Sequence, residues 1–467
     1  METRREFLAQ TAGAGASLAL PSAAVQVWAN NEAGVWVNDV QSQLNATRVH
    51  RIVKPTSLDE IESALSAAAR EGRAVCAAGG RHAMGGQQFA ADAVLLDMKQ
   101  FNRVLRFDRD QGTIDVEAGI EWPALVDYLH REQAGDPRAW AIREKQSGVD
   151  RVSLGGSLAA NIHGRGLQFP PIVGDVESFL LVDAEGRAQT CSRRENPELF
   201  TLAIGGYGLF GLIAEVRLRL TRRMKVERVV EIIPVKDLID RVDERIRHGF
   251  VYGDCQYSTN LESDAASHPG VFSCYRPVDD ATPLTDDRRG LSAQHWQELY
   301  RLARTDKQQA FEKYSKYYLS TNGQVYWSDK HQLAGNFDAY RQAVDLRSGT
   351  EVITEVYVPR AAFVELMSCC REDFVKHDVD MTYGTIRFIE KDEDTFLPWA
   401  VERSVCIICN LHVAHTAAGK AKAAEDFRRI IDRAIELGGR YYLTYHRWAS
   451  RKQVEACYPQ IVEFLRL

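Results

Sequence analysis

The feature that most constrains this chain is the grouping of its glycines into three short clusters, each set beside apolar residues. The first cluster, residues 78–86, reads Ala-Gly-Gly-Arg-His-Ala-Met-Gly-Gly and follows an apolar run at residues 74–77. Small residues let backbone N–H groups approach a ligand closely, and consecutive N–H groups form an anion-binding concavity. Short glycine-rich matches are common, so this cluster alone favours a turn with a solvated histidine.

Two further clusters change that balance. The second, residues 152–166, reads V-S-L-G-G-S-L-A-A-N-I-H-G-R-G, and the third, residues 203–213, reads A-I-G-G-Y-G-L-F-G-L-I. Helical and strand patterns alternate around them. Ser57 and Glu60 form a capping box before a helix, and residues 213–220 alternate as a strand. The alternation predicts an α/β organisation for this half of the chain, with a domain boundary where it ends.

The second half of the chain predicts a different domain. Residues 223–430 read as strands and helices, with a polar loop around residues 277–289. Residues 421–437 then predict an amphipathic helix, and an aromatic-rich strand is expected at residues 440–446. In the rest of the chain, after the N-terminal segment, no stretch is both apolar and long enough to predict a membrane span.

Composition excludes several classes of protein. The 467 residues are 45% hydrophobic and 26% charged, which is typical of a globular protein of two or three domains. A net charge of −6 provides no basic field for nucleic acid. The nine cysteines are odd in number and scattered, unlike a disulfide framework. Cys406 and Cys409 lie in a β-branched run, where their sulfurs would point to opposite faces, so we interpret them as core and expect no metal site.

The N-terminus resembles an export signal. Arg4 and Arg5 form a twin-arginine pattern before Phe7, and a mild apolar run with small residues follows. The run is too short to span a membrane and has no stop-transfer flank. We therefore expect residues 1–29 to be a signal read by the twin-arginine export machinery, with a periplasmic or otherwise exported mature protein.

Three glycine clusters at these separations resemble the FAD-binding domain of the vanillyl-alcohol oxidase superfamily, which includes aldonolactone and alditol oxidases and cytokinin dehydrogenases. The resemblance is strong over residues 45–222 and weaker over 350–460. It implies an α+β fold, with a two-part FAD-binding domain at 45–222. A substrate domain at 223–430 would contain a mixed or antiparallel sheet flanked by helices. Residues 431–467 would return to the FAD-binding domain.

The same resemblance implies which residues contact FAD. The candidates in the first cluster are Gly79, Gly80, Arg81, His82, Ala83, Gly85 and Gly86. The candidates in the other two clusters are Leu154, Gly155, Ser157, Asn161, His163, Gly164 and Ile213. For His163, a buried histidine satisfied by backbone groups is an equally good interpretation.

The resemblance also implies a covalent flavin. In cytokinin dehydrogenases and sugar oxidases, the histidine at the position of His82 is bonded to the flavin ring, and a neutral imidazole is a competent nucleophile for that bond. A packed or hydrogen-bonded His82 is the alternative. Ala83 stands where a serine is usual. In lactone oxidases a small residue just before the histidine at position 163 admits oxygen to the flavin. The bulky Ile162 stands there in this chain, which favours an acceptor other than oxygen, so the electron acceptor is expected to be oxygen or a respiratory carrier.

On the substrate side, Arg387 resembles the arginine of the Glu-x-Arg step in alditol and lactone oxidases. Thr385 occupies the glutamate position of that step. The two residues alternate on one strand face, as a pair lining a substrate site requires. The alternative for Arg387 is a surface ion pair with Glu390 or Asp392.

Near the C-terminus, where relatives place a lysine at the flavin, this chain has aromatic residues. Tyr445 and His446 are the nearest candidates for a proton acceptor and a flavin-carbonyl donor, and packing roles are equally good interpretations. Residues 252–256 and 326–332 concentrate aromatics with polar tips, as in a sugar-type pocket or in sheet core.

Together these observations predict an exported FAD-dependent oxidoreductase. It would oxidise a hydroxyl group of a sugar, polyol or aldonolactone-like molecule by hydride transfer to the flavin. One alternative is a cell-envelope oxidase of a lipid-linked sugar, acting as half of an epimerisation. Another is a flavin-binding relative without catalysis, which the threonine at position 385 and the missing lysine would explain.

Overall fold

The computed structural model describes residues 34–261, 268–285, 290–334 and 348–467. The export signal expected at residues 1–29 lies outside these ranges. The strands of the first half of the chain are β1 (Val35–Val37), β2 (Thr47–Val49), β3 (Arg51–Val53), β4 (Val75–Ala78), β5 (Val94–Asp97), β6 (Val104–Asp108), β7 (Thr113–Glu117), β8 (Trp140–Ala141), β9 (Val176–Val182), β10 (Ala188–Ser192), β11 (Leu212–Arg219) and β12 (Thr221–Arg222).

The strands of the second half are longer. They are β13 (Lys225–Pro234), β14 (Tyr252–Tyr257), β15 (Pro269–Val278), β16 (Val325–Trp327), β17 (Gly349–Pro359), β18 (Met381–Ile389), β19 (Ser404–Ala414) and β20 (Arg440–Tyr441).

The helices flank these strands. They are α1 (Leu58–Arg70), α2 (Trp122–Glu132), α3 (Leu154–Ala160), α4 (Pro197–Ala203), α5 (Leu238–Arg247), α6 (Ala293–Thr305), α7 (Lys307–Ser320), α8 (Phe363–Lys376), α9 (Ala417–Glu436), α10 (Arg451–Cys457) and α11 (Ile461–Phe464). None of the helices in the described ranges combines the length and the apolar character needed to cross a bilayer.

The first half of the chain contains two main sheets. A parallel sheet has the strand order β3-β5-β4, and an antiparallel sheet has the order β10-β9-β11-β7-β6. Helix α1 lies against the parallel sheet and buries Ile61, Ala64, Leu65 and Ala68, the residues at helical spacing in the sequence. Ser57 caps this helix, because its hydroxyl accepts the Glu60 N–H at 3.3 Å, while the Glu60 carboxylate accepts the Thr56 N–H at 2.6 Å.

The second half is built on one antiparallel sheet of eight strands, in the order β16-β13-β15-β14-β18-β19-β17-β20. Helices α6 and α7 pack on β18, β13 and β15, whereas α8 and α9 pack on β17 and β19. Every strand pair that the structure describes between residues 225 and 441 belongs to this sheet, so the described strands of the two halves separate between β12 and β13.

Two local expectations in this half have different outcomes. The strand expected at residues 440–446 ends at Tyr441, because β20 is only two residues long and the following residues form turns. Cys406 and Cys409 do project from opposite faces of β19: Cys406 Sγ lies 3.8 Å from the Glu355 carboxylate, and Cys409 Sγ lies 3.4 Å from the Tyr257 hydroxyl. Both cysteines are buried thiols.

Candidate active site

The first glycine cluster forms a loop that leaves β4 and packs tightly against the second cluster. A Cβ on Gly79 would lie 1.9 Å from Ser153 Oγ, and one on Gly80 would lie 2.0 Å from the Arg151 carbonyl oxygen. Arg81 adopts a positive φ of 60° and pairs with the buried Asp97 at 3.0 Å. The glycines are therefore needed because two backbone segments touch here.

The same loop presents unused donors. The backbone N–H groups of Gly79, Gly80, Arg81, Ala83 and Met84 donate to no other residue in the described parts of the chain. A run of free N–H groups beside a close backbone approach is the arrangement that holds an anionic oxygen.

The end of the glycine loop is tied to the C-terminal segment. Gly85 donates its N–H to the Thr444 carbonyl oxygen at 3.1 Å, and the Gln87 side chain donates to the Leu443 carbonyl oxygen at 2.6 Å. A Cβ on Gly86 would lie 2.8 Å from the Asn45 side chain, and its φ is 72°. These contacts bring the segment after β20 against the glycine loop.

The second cluster forms the short helix α3. Ser153 caps it by accepting the Gly156 N–H, but Leu154 and Gly155 already donate to the Ile120 and Ala118 carbonyl oxygens. The sequence-based candidates Leu154, Ser157 and Ile213 are buried in the core around this helix. Free donors therefore lie on the first cluster rather than on this helix.

Asn161 ends α3 in the left-handed region, with φ of 49°, and connects the two halves of the chain. Its amide donates to Asp392 at 2.8 Å, and its carbonyl oxygen accepts the Trp399 indole N–H at 3.0 Å. Gly164 is required by another contact: its N–H donates to the buried Glu144 carboxylate, and a Cβ there would lie 2.5 Å from that side chain. Both candidates are occupied by protein contacts.

His163 is buried and has protein partners on both ring nitrogens. Its Nε2 lies 2.9 Å from Glu355 Oε2, and its Nδ1 lies 3.2 Å from the Gly164 carbonyl oxygen. The ring packs against Trp399 at 5.2 Å between centroids. His163 thus belongs to a hydrogen-bonded cluster around Glu355.

The centre of that cluster is the Glu355 carboxylate. The Tyr445 hydroxyl donates to Oε1 at 2.8 Å, and the Tyr357 hydroxyl donates to Oε2 at 2.8 Å. Burial opposes ionisation, but His163, Arg387 and the Tyr445 hydrogen bond outweigh it and lower the pKa of Glu355. Glu355 is therefore a buried carboxylate held in its ionised form.

Glu355, His163 and Cys406 also have the chemistry of metal ligands, and their ligand atoms lie within 4.8 Å of one another. The His163 nitrogen and the Glu355 oxygen already form a hydrogen bond, and Tyr357 and Tyr445 saturate the same carboxylate. Mutual hydrogen bonding accounts for this group.

Sheet register places Arg387 beside Glu355. Thr385 pairs with Ile408, which pairs with Glu355, so these three side chains form one row on a single sheet face. Arg387 stands in the next row on that face. Its Nη2 donates to the Ser147 carbonyl oxygen at 3.2 Å, and the side chain is buried.

The surface ion pair considered for Arg387 is not formed. Glu390 pairs with Arg403 at 2.8 Å, and Asp392 accepts the Asn161 amide. Arg387 instead reaches the Ser147 carbonyl oxygen in the first half of the chain, and its side chain lines a cavity.

Tyr445 and His446 are adjacent in sequence but lie on different sides of the sheet. The Tyr445 hydroxyl donates to Glu355 and accepts from the Gln146 amide at 2.8 Å. His446 bonds to Thr354, whose side chain points to the face opposite Glu355, and packs on Phe427. Burial lowers the pKa of His446 to about 3. The structure brings Tyr445 to the site and leaves His446 behind the sheet.

These residues border a cavity of about 920 Å³. Met84 and residues 146–149 contribute from the first half of the chain, and Thr385, Arg387, Glu355 and Tyr445 contribute from the second. Further lining comes from other residues of β17, β18 and β19, from α6 and α7, and from the two aromatic segments, which supply Asp254, Gln256, Tyr326 and His331. The cavity is thus bounded by both halves.

His82 lies on the glycine loop, two residues before Met84, which lines the cavity. Burial lowers the pKa of His82 to about 4, and Arg151 adds to that effect against Asp39 and Asp150. The imidazole is therefore neutral at ordinary pH, as a nucleophilic or hydrogen-bonding role requires.

Sequence reasoning missed Glu355 and Gln146. The signal for Glu355 was present as a glutamate within the apolar run Val-Ile-Thr-Glu-Val-Tyr-Val, where a buried charge needs partners. Gln146 had no such signal, because it lies in an irregular segment between β8 and α3.

Comparison with known proteins identifies the class of one part of the chain. Residues 49–192 match the family model of the FAD binding domain. The chain is 26% identical over 194 residues to L-gulonolactone oxidase of Bos taurus, covering 42% of each chain. It is 29% identical over 210 residues to L-gulono-1,4-lactone dehydrogenase of Mycobacterium tuberculosis, covering 45% of this chain and 46% of the relative.

A third relative is cytokinin dehydrogenase 2 of Arabidopsis thaliana, 31% identical over 180 residues, with 37% of this chain and 34% of the relative covered. The chain therefore matches less than half of the length of each of these three proteins. It contains an FAD-binding domain, and FAD is its cofactor. The matched residues 49–192 lie within the region 45–222 that resembles the FAD-binding domain of the vanillyl-alcohol oxidase superfamily.

The residues of the glycine loop fit this cofactor. Free N–H groups at Gly79 and Gly80 suit the oxygens of a diphosphate, and no carboxylate of the loop itself opposes an anion there. The neutral imidazole of His82 stands next to these donors. We assign the loop as the part of the described structure that would hold the diphosphate.

Proposed function

We propose that this protein is an FAD-dependent oxidoreductase that oxidises a hydroxyl group of a small molecule bound in the 920 Å³ cavity. One observation carries the proposal: Glu355, Arg387 and Tyr445 meet on one wall of that cavity, beside the segment of residues 146–149 from the FAD-binding half. Sugars, polyols and aldonolactone-like molecules are the substrate classes that the named relatives suggest.

FAD, when bound, supplies the hydride acceptor for such an oxidation. The chain must then supply a base for the hydroxyl proton. Tyr445 is placed to accept it, because its oxygen faces the cavity while its own proton is directed to Glu355 Oε1 at 2.8 Å. Because its pKa is lowered, Glu355 is ionised and carries no proton of its own, so it can accept the one that Tyr445 passes on.

Arg387 and Gln146 position this relay. Gln146 donates to the Tyr445 oxygen at 2.8 Å, which fixes the direction of the phenol proton toward Glu355. Arg387 provides a buried positive charge on the same wall, where it stabilises negative charge on Glu355 and can bind a substrate oxygen. The resemblance implies a glutamate at the position of Thr385, and Glu355 supplies a carboxylate on the same wall instead.

His82 is the residue that would bond to the flavin. Its neutral imidazole and its place on the loop with free N–H groups support this part of the proposal. Acid precipitation of the purified protein tests it: we expect yellow colour to stay in the pellet. A colourless pellet with a yellow supernatant would contradict the bond.

The oxidation itself is tested by mixing the purified, flavin-loaded protein under nitrogen with a panel of polyols, aldoses, aldonates and aldonolactones. We expect at least one member to remove the visible flavin absorbance, with carbonyl product formed in equal amount. No bleaching by any member would contradict this substrate class and favour a lipid-linked sugar or a non-catalytic role.

Export is the remaining part of the proposal. Residues 1–29 would direct the loaded protein through the twin-arginine pathway, and Arg4 and Arg5 are the residues that the machinery would read. A fusion of this segment to a reporter should be exported, and the R4K/R5K double substitution should retain the reporter in the cytoplasm. Equal export of both fusions would contradict the assignment.

A further inference from the structure

The lining of the cavity is rich in positive charge and in tyrosine. Seven Lys or Arg residues line the cavity against three Asp or Glu residues, together with eight tyrosines. Three of these cations, Arg301, Arg304 and Lys307, lie on α6 and α7, whereas Arg228 is buried and the Arg165 side chain is only 13% exposed. A buried cation requires a partner, so the partners of these two arginines decide what the cavity can bind.

Arg228 is held by neutral groups. Its Nε and Nη2 donate to the Tyr275 hydroxyl at 2.9 and 2.6 Å, and its Nη1 donates to Thr321 Oγ1 at 3.0 Å. The rings of Tyr275, Tyr318 and Tyr326 lie within 5.2 Å of the guanidinium carbon. Within the described residues, no carboxylate forms an ion pair with it.

Arg165 shares the same phenol. Its Nη1 donates to the Tyr275 hydroxyl at 3.3 Å, and its Nε lies 3.8 Å from Asp254. Two guanidinium groups are thus fixed on one oxygen with one carboxylate near them. Gathering like charges in a desolvated place is unfavourable unless an anion joins them.

His331 completes the group. It is 5% exposed, its ring lies 4.3 Å from the Tyr275 ring between centroids at a tilt of 32°, and both ring nitrogens lack a hydrogen-bond partner among the described residues. Burial and the neighbouring cations Arg165, Arg228 and Lys145 keep its pKa well below the usual value. Lys145 is itself paired with Asp150 at 3.0 Å. The imidazole is therefore neutral, with a donor and an acceptor for a ligand.

We propose that Arg228, Arg165 and His331 form a subsite for a carboxylate, and that the substrate is a hydroxylated acid. This inference rests on the proposed function only in placing the substrate in the cavity. The group has one guanidinium more than it has carboxylates, which matches a monoanion better than a phosphate ester. The surrounding tyrosines would cover the carbon skeleton of the acid, with its hydroxyl directed to Tyr445.

Binding without turnover tests the subsite. Benzoate and benzamide have the same shape and differ in charge, so isothermal titration of the flavin-loaded protein with each compares the anion with its neutral partner. A charge-assisted hydrogen bond contributes about 1.5–3 kcal/mol, so we expect benzoate to bind about 10–100 times more tightly. Equal binding, or no binding of benzoate, would overturn the subsite whether or not any oxidation is found.

Substitutions of Arg228 test whether this residue is responsible for the preference for benzoate over benzamide. Arg228→Gln should reduce the preference for benzoate to less than about threefold, whereas Arg228→Lys, which retains a charge, should preserve part of it. The matched control is Arg276→Gln, because Arg276 is half-exposed on β15 and pairs with Glu227 at the surface. An unchanged preference in folded Arg228→Gln would overturn the assignment.

Phenyl phosphate serves as the third probe, because it separates a carboxylate from a phosphate site. We expect it to bind more weakly than benzoate. Tighter binding of phenyl phosphate, lost in Arg228→Gln, would overturn the carboxylate assignment and identify a phosphorylated substrate instead.

Discussion

The glycine loop after β4 and the cavity face of the eight-stranded sheet use opposite chemistries. The loop acts through backbone: the N–H groups of Gly79, Gly80, Arg81, Ala83 and Met84, which have no acceptor among the described residues, and a close approach to Ser153. The sheet face acts through side chains from different strands, with Glu355 on β17 and Arg387 on β18. A backbone site must be contiguous in sequence, whereas a side-chain site need only be contiguous in space.

That difference explains why the glycine loop could be recognised from the sequence, whereas the cavity face of the sheet could not. Consecutive glycines are visible in the sequence and allow the backbone to approach another segment closely. Glu355 and Thr385, by contrast, are 30 residues apart in the chain and meet only through the register of β17, β19 and β18. The two regions should therefore respond differently to substitution.

The largest effect is expected at Glu355. Glu355→Gln removes the proton-accepting carboxylate but keeps its shape, so flavin reduction by substrate should slow by about 10²–10⁴-fold. Glu351→Gln is the matched control, since Glu351 lies on the same face of β17, lines the cavity and pairs with His412. Rapid-mixing measurement of flavin absorbance gives both rates. Equal slowing in the two variants would contradict a specific role for Glu355.

The next effect is on cofactor retention by the glycine loop. Gly79→Ala places a Cβ 1.9 Å from Ser153 Oγ and 2.5 Å from Ser153 Cβ, so the two segments must separate. We expect the FAD content of the purified protein to fall by about tenfold or more, equivalent to at least about 1.4 kcal/mol. Gly290→Ala is the control, because a Cβ there would meet nothing within 4 Å. Full FAD occupancy in Gly79→Ala would contradict the loop assignment.

A pH effect on stability sharpens the contrast between Tyr445 and His446. The pKa of His446 is about 3 in the folded protein and about 6.5 when unfolded, so below pH 6.5 only the unfolded state gains its proton. Stability should fall from pH 6.5 toward pH 3, by at most about 1.4 kcal/mol per pH unit from this group.

The measurement is the urea midpoint at pH 7 and pH 5. His446→Phe, which keeps a ring against Phe427 and Trp448, should show a smaller difference between the two midpoints than wild type. His248→Phe, at an exposed position, should behave as wild type. An unchanged pH dependence in His446→Phe would show that His446 is accessible to protons in the folded state.

The smallest effect is expected at Tyr445. Tyr445→Phe removes the relay oxygen, but the Glu355 carboxylate remains at the cavity wall and can accept a proton directly or through water. We expect about a tenfold slower flavin reduction, with FAD content unchanged. A loss as large as in Glu355→Gln would show that no bypass exists, and no loss would remove Tyr445 from the relay.

The sequence predicted α1, the separation of the two Cys side chains on β19 and the family of the FAD-binding half, because each depends on local periodicity or on contiguous glycines. It could not choose between Tyr445 and His446. Adjacent side chains face different ways, and only the position of β20 against β17 determines which one reaches Glu355. For the same reason, the sequence could not show that Glu355, rather than a glutamate at position 385, supplies the carboxylate on this sheet face.

The central claim is that the sheet face and the FAD-binding loop together oxidise a hydroxylated molecule. Anaerobic titration of the flavin-loaded protein with polyols, aldonolactones and hydroxy acids, followed by visible absorbance, tests it most directly. We expect at least one compound to bleach the flavin of the wild-type protein and to bleach the flavin of Glu355→Gln only slowly. Bleaching at equal rates in both proteins, or in neither, would contradict it.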